Sequence, residues 1–221
     1  MARPRAIRGD HLRTALAQEA ARIMAEQGIS DYGFAKRKAA ERLGAGEFAV
    51  LPKNTEIDLA LAEYQRLFER DSHGQTLHEQ REVALNVMAL FAKFDPRLTG
   101  PVLAGSATAY QDIDLHVFSD SVEDLSIELL DRKIPFKLQE HRVRFNAERS
   151  EQVPALHFEW QGLGVMVRIF PKDGIRQAPL SALDGKPERR ATRAEVVALM
   201  EEAEKPPTLL DAPWANSDFR S

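Results

Sequence analysis

The spacing of the apolar residues changes once along the chain, at Asp95-Pro96, and this change limits the folds that the chain can adopt. Before it, apolar residues recur every three or four positions, which is typical of helices with one buried face. This spacing predicts four helices, one over residues 10–27 and three that begin near Ser30, Thr55 and Thr76. After Asp95-Pro96, short apolar runs typical of strands replace the helical pattern.

The second part of the chain combines these runs with two capped helices. The predicted strands cover residues 101–104, 113–118, 136–138, 143–145, 156–160 and 165–170. Ser121 and Asp124 have the spacing of a helix cap, and so do Thr192 and Glu195. Glycines at 162 and 164 predict that residues 156–170 form a hairpin. The predicted fold class is mixed α/β, with an all-helical N-terminal region over residues 1–75, a mixed α/β domain over 76–171 and a C-terminal extension over 172–221.

Composition excludes several classes of function. The chain has 221 residues, a formal net charge of -4 and no cysteine, so disulfides and thiolate metal sites are excluded. No apolar run reaches the roughly 18 residues of a membrane span, and the N-terminal arginines lack the apolar run of a secretory signal. We therefore expect a cytoplasmic protein with no membrane partner. A polyanion would have to be bound by a local basic patch.

A Gly-Ser pair and two closely spaced carboxylates mark the start of the α/β part. Gly105-Ser106 follows the first predicted strand, and Asp112 and Asp114 lie at the start of the second. Alternate residues of a strand point to the same side, so both carboxylates are expected on one face while Ile113 enters the core. Carboxylates about 7 Å apart on a strand are suited to Mg²⁺, which prefers oxygen ligands and often shares them with phosphates.

An apolar strand, Gly-Ser, a short linker, Asp-x-Asp at the start of the next strand and a capped helix are predicted here in an order that resembles the core of the DNA polymerase β-type nucleotidyltransferase superfamily. The resemblance covers roughly residues 85–171. It implies that Gly105 and Ser106 contact nucleotide phosphates and that Asp112 and Asp114 bind Mg²⁺ or Mn²⁺. It further implies transfer of a nucleoside monophosphate from an NTP to an acceptor, which is RNA, a protein or a small molecule.

The superfamily places a third carboxylate on a later strand, and this chain has Met166 there. A thioether is a poor ligand for Mg²⁺. Glu159, on the preceding strand of the hairpin, is predicted to supply the third catalytic carboxylate if the register brings it across from the Asp pair. A solvent-facing position on an amphipathic strand is the equally weighted alternative. Arg168 is predicted to bind a triphosphate or a carboxylate because its strand neighbours are apolar.

Two other functions stay open beside nucleotidyl transfer. Met166 favours a degenerate relative that binds a nucleotide or another phosphorylated ligand as a sensor or interaction module. Alternatively, the helical region is the working part and binds protein or RNA.

Three further polar residues allow two interpretations each. Arg142 and Arg144 alternate on one strand and either meet a polyanion or form a solvated face balanced by glutamates, the latter being favoured. His116, two residues beyond Asp114, is expected to be a satisfied polar residue at the sheet rim rather than a substrate contact.

Overall fold

A computed structural model describes residues 4–45, 50–68 and 70–204 of the chain. Within them it contains seven α-helices and one five-stranded mixed sheet, and four of the helices precede the first strand. The predicted class, mixed α and β with an all-helical N-terminal region, is confirmed. None of these helices combines the length and the apolar character that crossing a bilayer requires. Residues 205–221, the end of the predicted C-terminal extension, lie outside the described residues.

The first three helices enclose a small core of their own. They are α1 (Pro4–Gln27), α2 (Tyr32–Arg42) and α3 (Asn54–Phe68). Leu16, Ile23 and Met24 of α1 are fully buried against Ala35 and Ile57 of the other two helices. Most of the apolar stripe that predicted these helices is therefore buried between them, but Phe34, Leu43 and Leu67 are exposed.

The predicted helix starts differ from the observed ones by a few residues. Asp31, not Ser30, caps α2, because its carboxylate accepts the N–H of Phe34 at 2.7 Å. The third helix begins one residue before Thr55, at Asn54, where the carboxylate of Glu56 accepts the N–H of Lys53.

The fourth helix, α4 (Arg70–Leu90), begins well before Thr76. It runs through Gly74, which a helix tolerates at a cost of about 1 kcal/mol relative to alanine. The predicted domain boundary at residue 76 falls inside this helix. Val83, Val87 and Phe91 face the sheet and belong to its core.

The sheet has the strand order β1-β2-β5-β4-β3. Its strands are β1 (Arg97–Leu98), β2 (Ile113–Phe118), β3 (Phe136–Arg144), β4 (Ser150–Trp160) and β5 (Leu163–Phe170). Strands β2 and β5 are parallel and the other neighbours are antiparallel. The predicted hairpin over 156–170 is confirmed, since β4 pairs with β5 across the turn at Gly162. The two runs predicted at 136–138 and 143–145 belong to the single strand β3.

The prediction of a strand over residues 101–104 is wrong, because these residues form a short helix, α5 (Gly100–Ala104). Pro101 lies in the first turn, where proline has no N–H to lose. Gly105 ends the helix with φ 87°, a left-handed conformation that favours glycine. A Gly-Pro start and a glycine end therefore outweigh the β-type side chains between them.

The apolar face of the sheet is covered by helices. Ile113, Leu115 and Val117 of β2 are fully buried on this face. They pack with residues of α4, of α6 (Val122–Asp131) and of α7 (Arg193–Glu204). The predicted caps of the last two helices are confirmed, with Asp124 N–H donating to Ser121 Oγ and Glu195 N–H to Thr192 Oγ1, both at 3.3 Å.

Residues 105–108, which carry the Gly-Ser pair, are held by buried glutamines from the helices. Gln80 Nε2 donates to the carbonyl oxygen of Thr108 at 2.9 Å, and Gln65 Nε2 donates to that of Ala107 at 3.3 Å. Both glutamines are 1% exposed. Helices α3 and α4 therefore fix the position of the segment that the sequence predicts to contact phosphate.

Replacing Gln80 by alanine will destabilise the protein, because the carbonyl of Thr108 then loses one of its two donors and keeps only the N–H of Gln111, at 3.2 Å. We expect a loss of about 0.5–1.5 kcal/mol in the free energy of unfolding, measured by urea denaturation. Gln75→Ala on the same helix is the control, since Gln75 makes only an exposed bond to Glu79. Equal stability of the two variants would contradict this anchoring role.

Candidate functional site

The polar face of β2 carries the candidate site. Asp114 and His116 alternate along it with the buried Leu115 and Val117. The register with β5 places Asp114 opposite Met166 and His116 opposite Arg168. Met166 stands where the resemblance implies a third carboxylate, and it thus lies directly across from Asp114.

Asp114 is held by Arg168. Arg168 Nη2 donates to Oδ1 of Asp114 at 2.8 Å, and both side chains are 20% exposed. On the other side the backbone of Gly100 approaches so closely that a methyl group there would lie 2.9 Å from Oδ2 of Asp114. Burial raises the pKa of Asp114, and the positive charge of Arg168 opposes this rise. The carboxylate of Asp114 therefore forms an ion pair with Arg168 on one side and lies close to the backbone of Gly100 on the other.

Asp112 has a different partner from Asp114 and lines a different cavity. Its Oδ2 lies 3.2 Å from Nε2 of His157, and its side chain is 43% exposed. The carboxylate leans over Gly164, where an added methyl group would overlap it. Asp112 and His157 line a cavity of about 400 Å³, together with Lys137 and Glu159.

Glu159 is exposed and lies opposite Gly164 in the register of β4 and β5. It is therefore on the same side of the hairpin as Asp112, and both line the 400 Å³ cavity. It does not line the cavity that contains Asp114. The register brings Glu159 toward the first aspartate of the pair and not toward the second.

The Gly-Ser pair lies at the end of α5. The N–H groups of Gly105 and Ser106 both donate to the carbonyl oxygen of Pro101, at 2.8 and 3.1 Å. These two backbone donors are therefore already used within the turn. The Ser106 side chain lines the cavity that also contains Asp114, and its hydroxyl has no hydrogen bond to any residue that the structure describes.

We call the cavity in front of Asp114 the front cavity; its volume is about 520 Å³. Three regions of the chain form its walls. Tyr32 and Asp58 come from the helical region, and residues 100–106 and Asp114 come from the sheet and α5. Residues 181–189, which precede α7, close it from the third side.

Glu188 is a functional candidate that sequence reasoning missed. It lines the front cavity, and its Oε2 lies 3.8 Å from Nη1 of Arg168 and 3.5 Å from Nε2 of His116. Burial raises its pKa, again against the positive charge of Arg168. Arg168 is thus shared by two carboxylates, one from β2 and one from the C-terminal segment. The sequence around Glu188 is rich in turn residues and has no periodicity, so nothing in it signals this position.

His116 lies at the centre of the same polar network and is 0% exposed. Burial, then the charges of Arg168 and Arg190, lower its pKa well below the ordinary value. Arg190 Nε donates to Nδ1 of His116 at 3.0 Å. A neutral imidazole whose Nδ1 accepts carries its proton on Nε2, the nitrogen that faces Glu188. His116 is a satisfied polar residue, as expected, but it is fully buried and not at a rim.

Arg190 completes the network from the C-terminal segment. Its Nη1 donates to the carbonyl oxygen of Gly174 at 2.9 Å, and its guanidinium lies 5.0 Å from the ring centroid of Phe170. Burial lowers its pKa to about 10. Arg190 stays charged at neutral pH and fixes the segment that carries Glu188 to the sheet.

The arrangement of the carboxylates bears on a metal centre. Asp112 and Asp114 lie on one face, yet they line different cavities and pair with different basic residues. Among the described residues, no group of three or more His, Asp or Glu side chains is placed to hold a metal ion. The two aspartates are nevertheless close enough for the negative charge of Asp112 to raise the pKa of Asp114. The Mg²⁺ or Mn²⁺ predicted from the resemblance stays a prediction.

Comparison with known proteins gives no assignment: no protein-family model matches the chain, and no curated protein matches it. The function must be argued from the site itself.

Replacing Gly164 by alanine tests the close approach of Asp112. The added methyl group forces the Asp112 carboxylate away from His157, and we expect a loss of about 1 kcal/mol in stability because this half-exposed side chain can rotate. Urea denaturation measures the loss, and a crystal structure of the variant shows the broken pair. Gly74→Ala is the control, since the space around Gly74 is open and alanine favours a helix by up to about 1 kcal/mol. An intact Asp112–His157 pair in the Gly164 variant would refute the close approach.

The depressed pKa of His116 predicts a pH dependence of stability. Below pH 6.5, the ordinary pKa, the unfolded chain binds a proton that the folded protein rejects, so the contribution of His116 is present above that pH and is lost below it. His116→Gln should therefore cost most above pH 7. Its cost should shrink by up to about 1.4 kcal/mol per pH unit below 6.5, measured by denaturation at several pH values. A constant cost for His116→Gln over this pH range would contradict a buried neutral imidazole.

Proposed function

We propose that this protein binds a nucleotide in the front cavity and that binding, rather than nucleotidyl transfer, is its function. One observation carries the proposal: Asp114 is ion-paired with Arg168 at 2.8 Å, and Met166 lies directly opposite it. A carboxylate neutralised by a guanidinium is a weaker cation ligand, and a thioether does not replace the missing oxygen. The protein is, on this proposal, a degenerate relative of the nucleotidyltransferases that it resembles.

The walls of the front cavity suit a nucleotide. Its volume of about 520 Å³ lies within the range of small-molecule sites. Pro101, Leu103 and Leu183 give it an apolar wall against which a base can pack. The free hydroxyl of Ser106, with Lys186 and Arg189, supplies donors for phosphate oxygens.

Metal-dependent transfer is the second candidate, and the charge of the cavity favours it. Asp58, Asp114, Asp184 and Glu188 line the front cavity beside only two cationic side chains, Lys186 and Arg189. An excess of carboxylates suits a nucleotide that brings its own divalent cation. The ion would stabilise the charge of the leaving pyrophosphate. Asp112 and Asp114 would be its ligands, Gly105 and Ser106 would contact phosphates, and Glu159 would be the third carboxylate, which requires Asp112 and Glu159 to turn from the cavity of about 400 Å³ that they line toward Asp114.

The two candidates predict opposite effects of Asp114→Asn. If the function is binding, loss of a negative charge from the cavity leaves nucleotide affinity unchanged or raises it, with or without Mg²⁺. If the function is transfer, the variant loses Mg²⁺-dependent affinity and releases no pyrophosphate. Isothermal titration with ATP and GTP, and a pyrophosphate assay with candidate acceptors, measure both. Asp120→Asn is the control, because Asp120 is exposed at the far end of β2 and outside the front cavity.

A second pair of variants tests the cavity itself. Ala104 is exposed and lines the front cavity, so Ala104→Trp should obstruct it and weaken ATP binding by at least about tenfold. Ala109 is also exposed but does not line the cavity, and Ala109→Trp should bind ATP as the wild type does. Absence of nucleotide binding in the wild type, or unchanged binding by Ala104→Trp, would overturn the proposal.

A further inference from the structure

A second cavity, which we call the basic cavity, lies beside the front cavity at the end of strands β3 and β4. Its volume is about 720 Å³. Its cationic side chains are Arg142, Arg144 and Arg168, its acidic side chains are Glu148 and Glu188, and His141 also lines it. Three of the four acidic residues that line the front cavity, Asp58, Asp114 and Asp184, do not line the basic cavity. The two cavities share Ser181, Ala182 and Glu188 as part of their walls.

The two arginines from β3 are not neutralised by carboxylates. Arg142 donates from Nε and Nη2 to the hydroxyl of Ser150, at 3.1 and 2.9 Å, which is a neutral acceptor. The side chain of Arg144 makes no ion pair or hydrogen bond with any residue that the structure describes. Arg149 on the same hairpin, by contrast, is paired with Glu151 at 2.6 Å. The positive charges of Arg142 and Arg144 are therefore available to a ligand of this cavity.

Rigid elements hold both walls of the basic cavity. Arg142 and Arg144 lie on a strand in regular register, opposite Gln152 and Ser150 of β4. The N–H of Leu180 donates to the carbonyl oxygen of Arg144 at 2.6 Å, which ties the C-terminal segment to this strand. Groups on strands keep their positions better than groups on free loops, so the backbone positions of both arginines are fixed at the wall of the cavity.

We propose that the basic cavity binds a small phosphorylated molecule. Guanidinium groups match the oxygens of a phosphate and bind them by two parallel hydrogen bonds. The concave shape and the volume of about 720 Å³ suit a small molecule. Nucleic-acid binding depends on an extended basic surface that contacts many phosphates, and the net charge of -4 does not favour such a polyanion.

Titration with inorganic phosphate, followed by NMR at constant ionic strength, tests this proposal. We expect saturable shifts in the amide signals of β3, β4 and residues 179–182, and affinity about tenfold lower for Arg144→Ala. Arg66→Ala is the matched control, because it removes the same charge from an exposed position on α3, far along the chain from this cavity. Phosphate affinity should be unchanged in that variant. Thermal denaturation of both variants verifies that each is folded.

Three results would overturn the proposal: no saturation by phosphate, unchanged affinity in Arg144→Ala, or equal losses in Arg144→Ala and Arg66→Ala. A parallel titration with a single-stranded RNA oligonucleotide adds a fourth. RNA binding with a steep salt dependence and no saturation by phosphate would assign the surface to a polymer. Arg144 does not line the front cavity, so failure here is distinguishable from failure of nucleotide binding there.

Discussion

Several ionised groups are buried on one face of the sheet, and the arrangement of the surrounding elements depends on how these groups are paired. Two carboxylates, two guanidiniums and an imidazole lie together between β2, β5 and the C-terminal segment. An isolated charge in such a place costs several kcal/mol. Arg168 pairs with both carboxylates, and Arg190 donates to His116 and to the carbonyl oxygen of Gly174, although its Nη2 is buried without a hydrogen-bond partner. Arg168 is the centre of this arrangement, since it reaches both Asp114 and Glu188.

Local patterns in the sequence predicted much of the fold and one half of the site. The alternation of β2 placed Asp114 on the polar face and Ile113 in the core because strand periodicity depends on neighbouring residues alone. The hairpin followed from its glycine turn for the same reason. The segment at 101–104 was mistaken for a strand because a short apolar run fits either a strand or a helix, and the Gly-Pro start and Gly105 decided it.

The other half of the site comes from long-range packing, which no local pattern encodes. Glu188 and Arg190 lie in a segment of turns, and they reach β2 only because Ala191 pairs with Leu98 at the edge of the sheet. The different partners of Asp112 and Asp114 are equally invisible in the sequence. Alternation fixes the side from which a carboxylate projects, but Gly164 and Gly100, on either side of β2, fix the direction in which each one leans.

The proton on His116 shows how tightly the network is constrained. An imidazolium at this position would lie against two guanidiniums, with Glu188 as its only facing anion, whereas a neutral ring accepts from Arg190 at Nδ1 and presents N–H to Glu188 at Nε2. The neutral form thus gives Arg190 an acceptor and Glu188 a donor, although its Nε2 also lies 3.3 Å from Nη1 of Arg168, and it leaves the two positive and two negative side chains balanced. Removing Arg168 would leave two carboxylates facing one another in a buried place, with raised pKa values and no counter-charge between them. Arg168 therefore has a structural role in the folded chain whichever ligand the adjoining cavities bind, and its position between an acidic and a basic cavity follows from that role.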